Sequence, residues 1–113
     1  MSAATWNTTV EQGATWTRVL TVRDAAGALL NLTGYTSKMQ ARNRADALKI
    51  DLSNVSGMTL GGAAGTITVT ITAATTAALV VEPLTFDMTI TSAAGVVTRL
   101  VQGRMSVDDS VTV

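Results

Sequence analysis

The sequence contains no cysteine and no histidine among its 113 residues. The common nucleophile–base pairs of catalysis, histidine-ligated metals and thiolate zinc sites therefore cannot be built from it. No disulfide can stabilise the fold, so stability must come from a buried core. Two pairs of nearby carboxylates remain, Asp46 with Asp51 and Asp108 with Asp109, but neither spacing brings the side chains together by local geometry. We therefore expect a protein that is not an enzyme and has no cofactor or bound metal.

Aromatic and charged residues are scarce, at 4% and 14% of the chain. The few rings, Trp6, Trp16, Tyr35 and Phe86, are the expected anchors of a core that is otherwise aliphatic. Eight basic and eight acidic residues cancel and are scattered, so no electric field attracts nucleic acid or an anionic membrane. The longest apolar run, at residues 77–81, is far shorter than the roughly 20 residues of a membrane-spanning helix. We expect neither nucleic-acid binding, nor a membrane segment, nor a secretory signal.

The clearest pattern in the chain is the alternation of apolar and polar residues between positions 84 and 107. Residues 84–91 alternate strictly around Phe86, which predicts a strand with one buried face. Ser92-Ala93-Ala94-Gly95 supplies a turn, and residues 96–107 return as a second strand with a predicted bulge near Gln102-Gly103. Because two strands alone are marginal in water, this hairpin must recruit the rest of the chain.

Shorter alternating segments precede the hairpin. They predict an edge strand around Trp6 and further strands at 15–23, 35–41 and 66–72, with only short strand segments at 50–52 and 58–60. Asp24-Ala25-Ala26-Gly27 repeats the turn chemistry of residues 92–95. Residues 72–79 begin with a capping threonine and predict one or two helical turns that cross from one sheet to another.

About seven short strands, regularly spaced turn glycines and one short helix predict a single all-β domain over residues 1–113. A β-sandwich or a barrel fits this pattern. A single twisted sheet with the helix on one face is the alternative.

Several motifs follow one another in an order that is similar to a known family. They are Gln12-Gly13-Ala14-Thr15-Trp16, Asp24-Ala25-Ala26-Gly27, residues 30–36, residues 38–42, and the later blocks 86–90, 94–100 and 103–107. This order resembles the small immunoglobulin-like domains of tailed-bacteriophage structural proteins, including the N-terminal domain of phage baseplate upper proteins. The resemblance implies an immunoglobulin-like β-sandwich of about seven strands with one short crossover helix. It also implies a virion component, made in the host cytoplasm, that docks onto other tail or baseplate subunits.

Two functional hypotheses follow. The first is a structural protein of a phage particle, a tail or baseplate adaptor or a capsid decoration protein, that forms homo-oligomers and binds other virion structural proteins. Its expected contacts are strand edges at 4–10 and 111–113, with Trp6, Trp16, Val111 and Val113 as candidate interface residues. The second is a carbohydrate- or surface-binding module that uses Trp6, Trp16 or Tyr35 as a stacking platform.

Overall fold

The computed structural model describes residues 4–109, which form eight β-strands and one short α-helix. The strands are β1 (Ala4–Glu11), β2 (Trp16–Thr21), β3 (Thr36–Arg42), β4 (Leu48–Ser53), β5 (Met58–Leu60), β6 (Thr66–Ile71), β7 (Pro83–Thr91) and β8 (Val97–Asp108). The helix α1 covers Ala73–Ala77, and a 3-10 turn covers Gly62–Ala64. The prediction of an all-β fold is confirmed.

The strands form two sheets. The larger has the order β1-β8-β7-β3-β4, and the smaller has the order β2-β6-β5. β1 runs parallel to β8, whereas the other paired strands of residues 4–109 are antiparallel. The single-sheet alternative is therefore wrong. β4 is a six-residue strand and not the short segment expected at 50–52.

The helix α1 lies at the predicted crossover between the sheets. It connects β6 of the smaller sheet to β7 of the larger. Its N-cap is Thr72, whose side chain accepts a hydrogen bond from the Thr75 N–H at 3.3 Å. The buried hydroxyl of Thr76 lies 2.8 Å from the Ala14 carbonyl oxygen, to which it can donate. This hydrogen bond ties the helix to the connection between β1 and β2.

The hydrophobic core is formed by the inward-facing rows of both sheets. Phe86 and its row on β7 pack with β3 and β8, and the row of Ile67 on β6 comes from the smaller sheet. Burying each large aliphatic or aromatic side chain contributes roughly 1.5–3 kcal/mol. The largest fully buried side chains are Phe86, Leu32, Met39, Ile50, Ile67, Ile71, Leu84, Met88, Met105, Val10, Val69 and Val101.

The inward row of β2 contains an arginine because β2 is an edge strand. Trp16 and Leu20 face the core, and Arg18 occupies the position between them. The Arg18 guanidinium carbon lies 5.6 Å from the centroid of the Trp16 ring, which is a cation–π distance. Arg18 therefore covers the tryptophan at the sheet margin while its charge stays in solvent.

The bulge in β8 lies at Leu100, so the prediction of a bulge near Gln102-Gly103 is wrong. Met88 pairs with Val101 and Thr89 pairs with Arg99, which leaves Leu100 as the extra residue. Leu100 and Val101 are both buried. At this bulge two successive apolar side chains point to the same side of the sheet, so both enter the core.

Three turns of the domain have the same pattern of side-chain to backbone hydrogen bonds. The sequence indicated two of these turns. Asp24 and Asn43 each accept hydrogen bonds from the backbone N–H groups two and four residues later, at 2.9–3.0 Å. Ser92 accepts the bond from the residue four positions later, at 3.1 Å. The fourth residue has a positive φ in all three turns: it is glycine in two of them, and Asp46 with φ 63° in the third. The third turn joins β3 to β4, and its sequence has neither the alternation nor the glycine by which the other two could be recognised.

Candidate functional site

Three connections meet at one end of the domain, which we call the loop end. They are residues 22–35 between β2 and β3, residues 61–65 before β6, and residues 92–96 between β7 and β8. The Val22 N–H donates to the Gly65 carbonyl oxygen at 2.7 Å, and the Leu32 N–H donates to the Gly62 carbonyl oxygen at 2.9 Å. A Cβ added at Gly34 would lie 3.9 Å from the Ala93 Cβ, so the first connection also reaches the third. The loop end is thus a surface built from distant parts of the chain.

A groove of about 640 Å³ lies at the loop end. Buried Val22, Ile90 and Leu100 are among its lining residues, together with the half-buried Leu30 and Tyr35. The remaining lining residues are Arg23, Asp24, Val97, Thr98, Arg99 and Gln102. The bulge at Leu100 contributes to this groove directly, since it places Leu100 and Val101 both in the buried layer. The volume is in the range of known ligand and side-chain pockets.

The polar groups around the groove are engaged within the chain itself. The Asp24 carboxylate accepts two backbone hydrogen bonds of its own turn. Arg23 donates to the Gly27 carbonyl oxygen at 3.0 Å, and the Arg99 guanidinium lies 3.5 Å from the Asp87 carboxylate. The groove therefore combines buried apolar side chains with an exposed polar rim that contains Arg23 and Arg99.

Exposed apolar side chains lie in and beside the groove. Leu29 is 46% exposed, and Val96 and Val97 are 62% and 63% exposed. The side chains of Val96, in the turn, and Val97, the first residue of β8, both lie outside the core, since the turn's hydrogen bonds use only the backbone of Val96 and the N–H and hydroxyl of Ser92. Exposed apolar side chains also occur elsewhere on the domain, as at Val55, Val80 and Val81, so what distinguishes those of the loop end is their place beside the groove.

The strand β1 is an edge strand, as predicted for the segment around Trp6, and its outer edge is a second candidate docking feature. It pairs with β8 on one side, and no strand of residues 4–109 pairs with its other side. The Thr8 hydroxyl lies 3.3 Å from the Trp16 Nε1–H and 3.4 Å from Arg18 Nη2, both of which can donate to it. These contacts hold β1 against β2 across the gap between the sheets, while no strand of the described residues covers the outer backbone edge of β1.

The four predicted interface residues differ in burial and in whether the structure describes them. Trp6 is half-buried on β1 and packs against the core. Trp16 is only 8% exposed and is a core residue, because its place at the start of β2 points it between the sheets. It can therefore offer a partner little surface. Val111 and Val113 lie outside the described residues.

Sequence reasoning missed the loop end. Its lining residues come from four segments that only the sheet order brings together. One signal was present: Val96 and Val97 are adjacent and apolar, and directly follow a turn. Adjacent strand residues point to opposite faces, so at least one of them could be expected on the surface.

In the part of the chain from 4 to 109, no three acidic side chains cluster as potential metal ligands. Within the same range, no helix has the length and apolar character needed to cross a membrane. No family model and no curated protein matches the chain.

Proposed function

We propose that the chain is a non-enzymatic, immunoglobulin-like structural protein of a bacteriophage particle, and that it acts by docking onto other virion subunits. The strand order supports the immunoglobulin-like part of this proposal. If the eight strands are named A, B, C, C′, D, E, F and G in chain order, the smaller sheet is B-E-D and the larger contains G-F-C-C′. This order agrees in part with an immunoglobulin variable-type domain, whose additional C″ strand has no counterpart among residues 4–109. β1 in the A position pairs with β8 and not with β2.

The loop end is the observation that carries the docking role. In the immunoglobulin order, the B–C and F–G loops lie at the same end of the sandwich, where variable domains bind their partners. Here those loops are residues 22–35 and 92–96, which contribute to or flank the groove and carry the exposed Leu29 and Val96. The exposed Val97 follows directly, as the first residue of β8. The open edge of β1 offers a second contact, by strand addition. The assignment to a virion rests on the resemblance of the turn and strand motifs.

The same surface would serve a tail adaptor or a capsid decoration protein. A carbohydrate-binding module is less favoured, since stacking on a sugar requires an exposed ring face. Trp16 is in the core, and Trp6 and Tyr35 are both half-buried. A flat tryptophan fluorescence response on sugar titration would agree with this choice.

Binding to phage particles or tails that lack this chain tests the proposal. We expect the purified protein to bind them, and Val97→Lys to abolish binding by placing a charge beside the groove. Val55→Lys is the matched control, because Val55 is 88% exposed in the β4–β5 connection and does not line the groove. If the unmodified protein binds neither tails nor capsids, the docking role is refuted. Equal loss of binding with Val97→Lys and Val55→Lys would refute its location.

A further inference from the structure

The fold gathers most of the cations of the chain at one surface, the outer face of the larger sheet. Four of them lie on outward rows of this sheet, Lys38 and Arg42 on β3 and Arg99 and Arg104 on β8. A fifth, Arg44, lies in the turn that follows β3. Along the sequence these residues are spread between positions 38 and 104, so it is the sheet order that brings them together.

The strand register places the four cations of the sheet at the corners of a grid, with β7 running between them. The three cross-strand rows of this grid are Arg42-Thr85-Arg104, Gln40-Asp87-Gln102 and Lys38-Thr89-Arg99. Strands lie about 4.8 Å apart and residues rise about 3.4 Å along a strand. The corners are therefore about 10 Å apart across the sheet and about 13 Å apart along it. We call these nine positions the cation grid.

The bulge in β8 supplies one of the four corners. In a regular strand, residues an odd number of positions apart point to opposite faces, so Arg99 and Arg104 would not share a face. The extra residue at Leu100 restores the match and puts Arg99 in the same outward layer as Arg104. The irregularity that buries Leu100 and Val101 inside the domain thus completes the grid on its outside.

The positive charge of the grid is only partly balanced within the chain. The Asp87 carboxylate at its centre lies 3.5 Å from Arg99, and Asp51 lies beside the grid on β4. The other three corners have no carboxylate oxygen within 4.0 Å among residues 4–109. The fold does not require these cations, since the outward positions of β6 in the smaller sheet are threonines, which form strands well. The grid is therefore a surface with unbalanced positive charge.

A hollow of about 590 Å³ adjoins the grid beside the β3–β4 turn. Three arginines from separate segments line it, Arg42, Arg44 and Arg99. Its other polar lining residues are Gln40, Asn43, Asp46, Thr85, Asp87 and Gln102. A guanidinium group binds a carboxylate through two parallel hydrogen bonds, and neighbouring amides can satisfy the remaining oxygen lone pairs. The hollow is thus suited to receiving a carboxylate side chain.

We propose that the cation grid and the adjoining hollow bind an acidic segment of another virion subunit. The proposal rests on the docking role proposed above and gives the chemistry of a partner at a second surface. Charge complementarity selects the partner, because carboxylates would balance the three corners that have none. An extended segment laid along β3 or β8, with acidic side chains at every fourth residue, matches the spacing of about 13 Å along the grid.

Nucleic acid fits the grid less well than an acidic protein segment does. A nucleic-acid backbone carries closely and continuously spaced phosphates, which would meet the carboxylates of Asp87 and Asp51. Proteins that bind single strands also offer aromatic rings on which bases stack, and the nine positions of the grid hold none. Separate carboxylates on a protein segment can pair with the corners and avoid the centre.

Fluorescence anisotropy of labelled poly-L-glutamate at low ionic strength tests the inference. We expect the unmodified protein to bind this probe, and added salt to weaken the binding. The double variant Lys38→Gln/Arg104→Gln removes two corners and should weaken it about fivefold. Arg18→Gln/Arg23→Gln is the matched control: it changes the net charge equally, all four side chains are exposed, and its effect should stay below about twofold. Gln102→Glu, also exposed, replaces the first variant if that variant does not fold.

Three results would overturn the inference. The first is no binding of poly-L-glutamate up to about 1 mM protein at low ionic strength. The second is equal weakening by the two double variants, which would mean that the attraction has no location on the grid. The third is tighter binding of a DNA duplex or of hyaluronate than of poly-L-glutamate at equal charge concentration, which would give the surface a different class of partner.

The assay also separates this inference from the docking role of the loop end, because it contains no phage particle. Val97→Lys, which should lose particle binding, should bind poly-L-glutamate as the unmodified protein does. If Lys38→Gln/Arg104→Gln loses poly-L-glutamate binding and still binds particles like the unmodified protein, the assignment of the acidic partner to the virion is overturned, while the docking role of the loop end stands.

Discussion

The attachment of β1 to β8 depends on the glycine at position 103. It pairs with Trp6 in the parallel β1–β8 ladder and with Phe86 on the other side. A Cβ at position 103 would overlap the carbonyl oxygen of Trp6, a backbone atom that no side-chain rotation can move. Gly103→Ala must therefore displace β1 relative to β8.

The cost of that displacement can be bounded. Overpacking that is relieved by a backbone shift costs about 1–3 kcal/mol. Full release of β1 would expose the buried Val10, worth about 1.5–3 kcal/mol, and would break the hydrogen bonds of eight paired positions, at about 0.5–1.5 kcal/mol each. Release is the costlier route, so we expect a shifted but attached strand. Replacing glycine by alanine also lowers the entropy of the unfolded chain. This stabilises a protein by about 0.4–1 kcal/mol, but only where alanine fits the native geometry.

We therefore expect Gly103→Ala to lower the free energy of unfolding by about 2 kcal/mol, roughly a 30-fold change in the folding equilibrium. Urea unfolding followed by tryptophan fluorescence measures this, and hydrogen exchange should show faster exchange in β1 than in β6. Gln102→Ala is the control: its side chain is exposed, and its effect should stay within about 0.5 kcal/mol. A loss below about 0.5 kcal/mol for Gly103→Ala would show that β1 does not lie against position 103.

Three further substitutions test individual details by urea unfolding. Asp46→Gly should stabilise the domain by about 0.5 kcal/mol, because φ is 63° there and the matching turns use glycine; destabilisation would contradict this reading of the turn. Thr76→Val should cost about 1–3 kcal/mol, since it leaves the Ala14 carbonyl oxygen without its hydroxyl donor, whereas Thr76→Ser should cost clearly less. Ser37→Ala should stabilise by about 1 kcal/mol, because the Ser37 hydroxyl is buried and has no hydrogen-bond partner in residues 4–109; a loss of stability would indicate a partner.

The strands with strict alternation could be predicted from the sequence because one of their faces must be buried. β6 and β7 alternate over their whole length, and the structure buries the predicted rows of Ile67 and Phe86. β4 was underestimated since only Ile50 and Leu52 mark its inner face, while Leu48 is 42% exposed. Alternation of apolar and polar residues predicts a strand with one solvent-exposed face. The prediction is weak when only two apolar residues support it.

The sheet order could not be predicted, for a different reason, and the bulge in β8 was placed at the wrong residues. Pairing of β1 with β8 joins residues about a hundred positions apart, and no local pattern in either strand specifies it. Val101, Met105 and Val107 share one face by alternation and Leu100 has the other, so a bulge at Leu100 keeps all four buried, whereas one near Gln102-Gly103 would turn Val101 outward. Packing decides in favour of Leu100, because both Leu100 and Val101 can enter the core there, and Gly103 is needed where Trp6 approaches.

The turn chemistry links the fold to the proposed docking surface. Loops that order on binding lose conformational entropy, which subtracts from the affinity that their contacts provide. At the loop end, the turns that begin at Asp24 and Ser92 are already fixed by hydrogen bonds from their own side chains. Val96 and Leu29 are therefore presented by backbone that is ordered before a partner arrives.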